Sequence, residues 1–254
     1  MITIARVEIT RPWDWLSRGW EDFRHCWKTS VLAGLLVAVL GWIQTWAAMR
    51  LDYMVIVPIL ATGFALVAPL FAVSLYDSSR RLAKGQEPSV WTMIAAPCRA
   101  PGQLALLGMM LFLFLLLWVR VASLLFALFV GSESFSMTSL MERMLTTADG
   151  LTFLIIGTAI GAVFALVAYA LSVISPQFIL AGKGEAFSAM MISMRAVAAN
   201  PGPMLLWAWI ISGLLLIGIV TWYVGLIVIF PVLGHASWHV YQDLIGEGEA
   251  TGQK

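Results

Sequence analysis

Three polar side chains near the end of the chain have types and a spacing that could do chemistry. His235, His239 and Asp243 are four residues apart, so a helix would place them on one face. Neutral imidazoles at this spacing can share zinc or copper, or one of them can ligate haem. The alternative is structural, because a histidine near a helix C-terminus favours the negative end of the helix dipole. The sequence leaves both interpretations open, and we expect no resident cofactor.

A second candidate set lies in the apolar parts of the chain. Arg120 interrupts the long apolar run 104–131, at about 24 Å into a hydrocarbon core of roughly 30 Å. A long side chain at that depth can snorkel to the boundary, or it can bind an anion or a lipid phosphate. Tyr169 and Gln177 belong to a polar run further along, which indicates either hydrogen bonds between helices or a substrate path. Arg120, Tyr169 and Gln177 are therefore the predicted binding residues.

Sequence motifs of familiar enzymes are absent. The chain contains no HExxH, no GxSxG, no glycine-rich loop ahead of a Lys-Ser/Thr pair and no Cys-His set with zinc-finger spacing. These motifs carry metal-assisted hydrolysis, acyl transfer, phosphate binding and structural zinc. We therefore predict no catalytic residues, and we expect that the protein is not an enzyme.

Composition decides the class of protein. The sequence is 61% hydrophobic and 11% charged, whereas soluble domains average roughly 45–50% and 25%. Such a chain is solvated mainly by a lipid bilayer. The net charge of +1 speaks against nucleic acid as a partner.

Apolar runs of spanning length divide the chain. We predict an all-α membrane protein with a single domain over 1–245 and a disordered tail at 246–254. Because a span needs about 20 apolar residues, the run after residue 204 is split near 221–225, and the stretch 132–150 is the largest outer loop. The six predicted spans cover 31–49, 53–76, 104–131, 151–181, 204–221 and 223–240.

Charge asymmetry orients these spans. With both termini in the cytosol, the outer turns hold only Arg50 and Arg143, while the cytosolic segments hold twelve lysines and arginines. This distribution follows the positive-inside rule. The sequence predicts a multi-pass protein of the bacterial inner membrane with both ends in the cytosol.

Amphipathic segments and an internal repeat complete the prediction. Residues 12–28 favour an amphipathic helix with Trp13, Leu16, Trp20, Phe23 and Trp27 on one face, either in the headgroup layer or docked on the protein's own cytosolic side. Each predicted even-numbered span has a proline towards its cytosolic end. The sequence therefore predicts a six-helix bundle of three parallel helical hairpins, with interfacial helices on the cytosolic side.

Four short motifs resemble a known family. They are Trp15-Leu-Ser-Arg-Gly-Trp20, Tyr76-Asp-Ser-Ser-Arg-Arg-Leu82, Trp118-Val-Arg-Val-Ala122 and Pro231-Val-Leu-Gly-His-Ala-Ser-Trp-His239. Together they resemble the predicted bacterial integral membrane proteins called domain of unknown function 2189. The resemblance implies a location in the bacterial inner membrane and adds no catalytic residues. Some members carry a cytochrome c oxidase label, but a haem-copper core needs more histidines than the three in this chain.

These observations favour a non-catalytic accessory or scaffold in a membrane assembly, with other membrane protein subunits as partners. The first alternative is a small permease, or an anion or lipid handler, that uses Arg120. The second is a metal or haem carrier that uses His235 and His239.

Overall fold

The computed structural model describes residues 2–50, 68–129 and 137–245, and within them every regular element is a helix. Most of the predicted second span therefore lies outside the described residues. The helices are α1 (Arg11–His25), α2 (Trp27–Arg50), α3 (Val73–Leu82), α4 (Val90–Ala95), α5 (Pro101–Phe129), α6 (Met137–Thr146), α7 (Ala148–Ser172), α8 (Ser175–Leu180), α9 (Ala186–Ala199), α10 (Pro201–Val220) and α11 (Leu226–Ile245). A 3₁₀ turn, Pro97–Arg99, joins α4 to α5.

Four helical stretches among the described residues are long and apolar enough to cross a membrane: α2, α5, α7 together with α8, and α10. The predicted sixth span corresponds to α11, which is not one of them. This helix carries His235 at its middle and His239 and Asp243 in its second half, and most of its residues are buried in protein. Four candidate spans are thus present in the described part of the chain, and the count of six stays a prediction.

The long apolar stretch after residue 201 is divided where α10 ends at Val220 and α11 begins at Leu226. Trp222 and Tyr223 adopt positive φ in the intervening turn, and Thr221 Oγ1 accepts a hydrogen bond from the Gly225 backbone N–H at 3.0 Å. Two residues with left-handed backbone are incompatible with a continuous helix. The break therefore falls within 221–225, the split that the sequence favours.

The described chain forms two compact units. Among the described residues, the first comprises 2–43, 68–107 and 170–245, and the second comprises 44–50, 108–129 and 137–169. In the described part of the first unit, α1 packs on α11, α4 packs on α3, and α9 packs on α8. Helices α3, α8 and α11 also contact one another. Helices α1, α4 and α9 each precede an apolar helix in the chain. The helices that they cover, α11, α3 and α8, lie at or after Pro231, Pro69 and Pro176, respectively.

Helix α1 docks through a face that shares Phe23 with the predicted aromatic stripe but not its tryptophans. Its buried residues are Pro12, Trp15, Gly19 and Phe23, whereas the predicted stripe members Trp13, Trp20 and Trp27 are exposed. A Cβ at Gly19 would lie 2.6 Å from the Ala236 backbone nitrogen, so only glycine permits this approach of the two helices. The helix also ends at His25, and the predicted continuation to residue 28 belongs to α2.

In the second unit, α5 and α7 run antiparallel. Phe114 contacts Phe164 at a ring-centroid distance of 5.2 Å, and Phe126 contacts Phe153 at 6.1 Å, so positions later in α5 meet earlier ones in α7. A Cβ at Gly161 would lie 3.1 Å from the Trp118 ring, which indicates close packing within the chain. The predicted outer loop 132–150 contains helix α6 in its described part, so that stretch is not simply a loop.

Candidate functional site

The imidazole of His235 on α11 is fully buried and lies within hydrogen-bonding distance of α2 and α3. Its Nε2 lies 2.8 Å from Ser30 Oγ, and its Nδ1 lies 2.8 Å from Ser79 Oγ. Cys26 Sγ lies 3.7 Å from the same Nε2. A neutral imidazole has one donor and one acceptor nitrogen, so two serine hydroxyls satisfy both. The histidine joins three helices by hydrogen bonds.

One turn further along α11, His239 connects to α1. Its Nε2 lies 2.9 Å from Asp22 Oδ2, and its Nδ1 lies 3.1 Å from Gln242 Oε1. Burial alone raises the pKa of Asp22, but hydrogen bonds from His239 and Ser79 outweigh it, and the pKa of this carboxyl lies below its ordinary value. Asp22 is therefore a carboxylate at neutral pH, suited to hold the imidazole and the serine in place.

At the end of α11, Asp243 receives three donors from α1. Its Oδ2 accepts hydrogen bonds from Arg11 Nε at 2.8 Å, Trp15 Nε1 at 2.8 Å and Arg18 Nη2 at 2.7 Å. Burial raises the pKa of Asp243, but these three hydrogen bonds lower it by more, so its pKa lies below the ordinary range. Charge-assisted bonds of this kind are stronger than neutral ones, and they fix α1 along α11.

The predicted metal ligands therefore share a helix face but have different partners. His235 contacts two serines, His239 contacts Asp22 and Gln242, and Asp243 accepts from α1. Within the described ranges, no group of three histidine, cysteine or acidic side chains could hold a metal ion. The structure does not bring the three residues together as a ligand set.

The predicted binding residues lie in different surroundings. Arg120 is exposed on α5, and Tyr169 is half-buried on α7. Gln177 is fully buried on α8, where its Nε2 donates to the carbonyls of Val173 at 3.1 Å and Ser237 at 3.3 Å. Gln177 thus acts as a hydrogen-bonding link from α8 to α11.

A further polar cluster was missed by the sequence reasoning. Asp77 on α3 is 1% exposed and contacts three arginines. Two of them, Arg80 and Arg81, follow it at three and four residues, which is the spacing at which helical side chains meet. This spacing is a sequence signal for the contacts of Arg80 and Arg81 with Asp77. No sequence signal indicates the contact of Arg99.

The described helices define the class: an all-helical integral membrane protein with several apolar helices. Comparison with families of known sequence agrees, since residues 56–181 match the family described as a predicted integral membrane protein, domain of unknown function 2189. The family resemblance seen in the sequence is confirmed. The match contains the motifs at 76–82 and 118–122, whereas those at 15–20 and 231–239 lie outside it. Neither curated proteins nor solved structures give a match.

Proposed function

We propose that this protein is a non-catalytic accessory or scaffold subunit of an assembly in the bacterial inner membrane. In this proposal the chain forms three parallel helical hairpins with both termini in the cytosol. The first-unit helices α1, α4 and α9, each placed ahead of an apolar helix, then form a cytosolic layer. The distribution of lysine and arginine in the sequence supports that orientation.

One observation carries the proposal: the side chains of α11 that could do chemistry are already bound to other side chains of the protein. His235, His239 and Asp243 each contact side chains of other helices, and His235 is fully buried. A general base or a metal ligand needs an approach for substrate or metal. Groups held in this way serve helix packing instead: His235 links α11 to α2 and α3, while His239 and Asp243 link it to α1.

The exposed tryptophans of α1 and the start of α2 support the partner in the proposal. Trp13, Trp20 and Trp27 recur every seven residues and are all exposed, although α1 has a buried face of its own. Tryptophan is enriched in the buried centres of protein interfaces. This stripe is the surface that we expect a partner subunit to cover.

Blue-native electrophoresis after mild-detergent extraction tests the proposal, combined with a photo-crosslinking amino acid at position 13. We expect a complex larger than the protomer, a defined crosslink, and loss of both when Trp20 is replaced by alanine. Trp209, which is exposed on the candidate span α10, provides the control substitution and should leave the complex unchanged. A monodisperse protomer without crosslinks would contradict the accessory role.

A further inference from the structure

Asp77 and its three arginines form what we call the Asp77 cluster: Asp77, Arg80, Arg81 and Arg99. Arg80 donates from Nε and Nη2 to Asp77 Oδ1 at 3.0 and 2.7 Å, and Arg81 donates from Nε to Oδ2 at 2.9 Å. Arg99 Nε lies 3.6 Å from Oδ1, which is an ion pair rather than a hydrogen bond. The carboxylate is thus satisfied by Arg80 and Arg81 alone.

The Asp77 cluster carries more positive than negative charge. Three guanidinium groups surround one carboxylate, which leaves a formal excess of two positive charges. Like charges held this close repel each other, and an anion beside them would relieve that repulsion. Since each guanidinium has five N–H donors and Asp77 occupies at most two on any of them, donors remain for such an anion.

Helix α4, which packs on α3, also has an exposed apolar face. Trp91 is 80% exposed and Ile94 is 64% exposed, while Met93 and Ala96 face the protein. Ser89 caps α4 through a reciprocal capping box with Thr92. The helix is thereby fixed with large hydrophobic side chains directed outwards.

The chain places this surface at the boundary of a membrane. Arg99 belongs to the 3₁₀ turn that ends two residues before Pro101, where the candidate span α5 begins. A residue just before a span lies at the depth of the lipid headgroups. At this depth arginine contacts lipid phosphates, and tryptophan lies at the boundary between headgroups and acyl chains. A soluble anion would account for the arginines but not for the exposed tryptophan and isoleucine.

We propose that the Asp77 cluster and the exposed face of α4 form a binding site for an anionic phospholipid. Arg99, with the free donors of Arg80 and Arg81, binds the headgroup phosphate, while Trp91 and Ile94 contact the start of the acyl chains. The site is independent of the accessory role proposed above, because it uses neither α1 nor a partner subunit.

The test uses the full chain reconstituted in vesicles of equal parts phosphatidylglycerol and phosphatidylcholine. After extraction in mild detergent, native mass spectrometry counts the lipids retained per protein. Arg99→Gln is the diagnostic variant, since Asp77 keeps its hydrogen bonds from Arg80 and Arg81. Arg195→Gln is the matched control, because Arg195 is also an exposed arginine shortly before a candidate span.

We expect the wild-type protein to retain phosphatidylglycerol in preference to phosphatidylcholine. This preference should be about fivefold lower in Arg99→Gln, as for the loss of one basic contact to an anionic surface. It should be unchanged in Arg195→Gln. Trp91→Ser should lower lipid retention while thermal stability is maintained. Absence of a headgroup preference, or equal losses in Arg99→Gln and Arg195→Gln, would overturn the proposal. Displacement of the lipid by millimolar inorganic phosphate, with Trp91→Ser unchanged, would overturn it in favour of a soluble anion.

Discussion

The close approach of α1 to α11 at Gly19 gives the sharpest prediction. Replacing Gly19 with alanine adds a Cβ at 2.6 Å from the Ala236 nitrogen and 2.7 Å from its Cβ. Real Cβ atoms do not tolerate such distances, and the neighbouring atoms are backbone atoms of Ala236 and its Cβ, which no side-chain rotation can move away. The substitution therefore has to displace α1 from α11.

The magnitude follows from two opposing effects. Alanine in a helix interior is favoured over glycine by about 1 kcal/mol, while overpacking a tight interface costs about 1–3 kcal/mol. The free energy of unfolding should therefore fall by about 1 kcal/mol in Gly19→Ala, and by clearly more in Gly19→Leu. The exposed Ser17 on the same helix offers the control Ser17→Ala, which should change stability by less than about 0.5 kcal/mol.

Thermal unfolding in mild detergent measures stability, and the reactivity of Cys26 reports the position of α1. The thiol of Cys26 is buried beside Ser30 and His235, while Cys98 is exposed and is removed as Cys98→Ser. We expect faster labelling of Cys26 in both Gly19 variants than in Ser17→Ala. Gly19→Leu with wild-type stability and labelling would refute the docking of α1 on α11.

Three further predictions concern the α11 face. Asp243→Asn should lower the free energy of unfolding by about 1–3 kcal/mol, because charge-assisted hydrogen bonds to α1 are lost. The control Asp14→Asn removes an exposed ion pair and should lower it by less than about 1 kcal/mol. Chemical denaturation of both variants measures the difference. Ser79→Ala should lower stability by about 1–3 kcal/mol because a nitrogen of buried His235 loses its partner, as thermal unfolding can show. Folding lowers the pKa of Asp22 and Asp243. The stability that these carboxylates contribute is therefore present above the ordinary aspartate pKa of about 3.9 and is lost as pH falls through the lower folded values. Unfolding midpoints measured over a pH series should decline below about pH 4, and the decline should be smaller in Asp243→Asn.

Periodicity predicted the helices better than their buried faces. The sequence gives no reason to prefer the Trp15 face of α1 over the Trp13 face, since both carry aromatic residues. Contacts with residues distant in sequence decide between the two faces: Trp15 donates a hydrogen bond to Asp243, and Gly19 packs closely against Ala236. A pattern within one helix cannot reveal either partner.

The α11 face shows the same limit. The four-residue spacing correctly placed His235, His239 and Asp243 on one helix, but their partners are Ser30, Ser79, Asp22 and the arginines of α1. Most of these partners are distant in sequence and lie on other helices. Only tertiary packing shows that the histidines are already hydrogen-bonded.

Membrane crossing by α5 is the central claim, and labelling of introduced cysteines tests it most directly. In a Cys26→Ser, Cys98→Ser background, single cysteines replace Gln86 and Thr146, two exposed residues on either side of α5. In intact cells, a membrane-impermeant maleimide should label the cysteine at position 146 and leave the one at position 86 unlabelled until the membrane is opened. Equal labelling of both positions in intact cells would contradict the account.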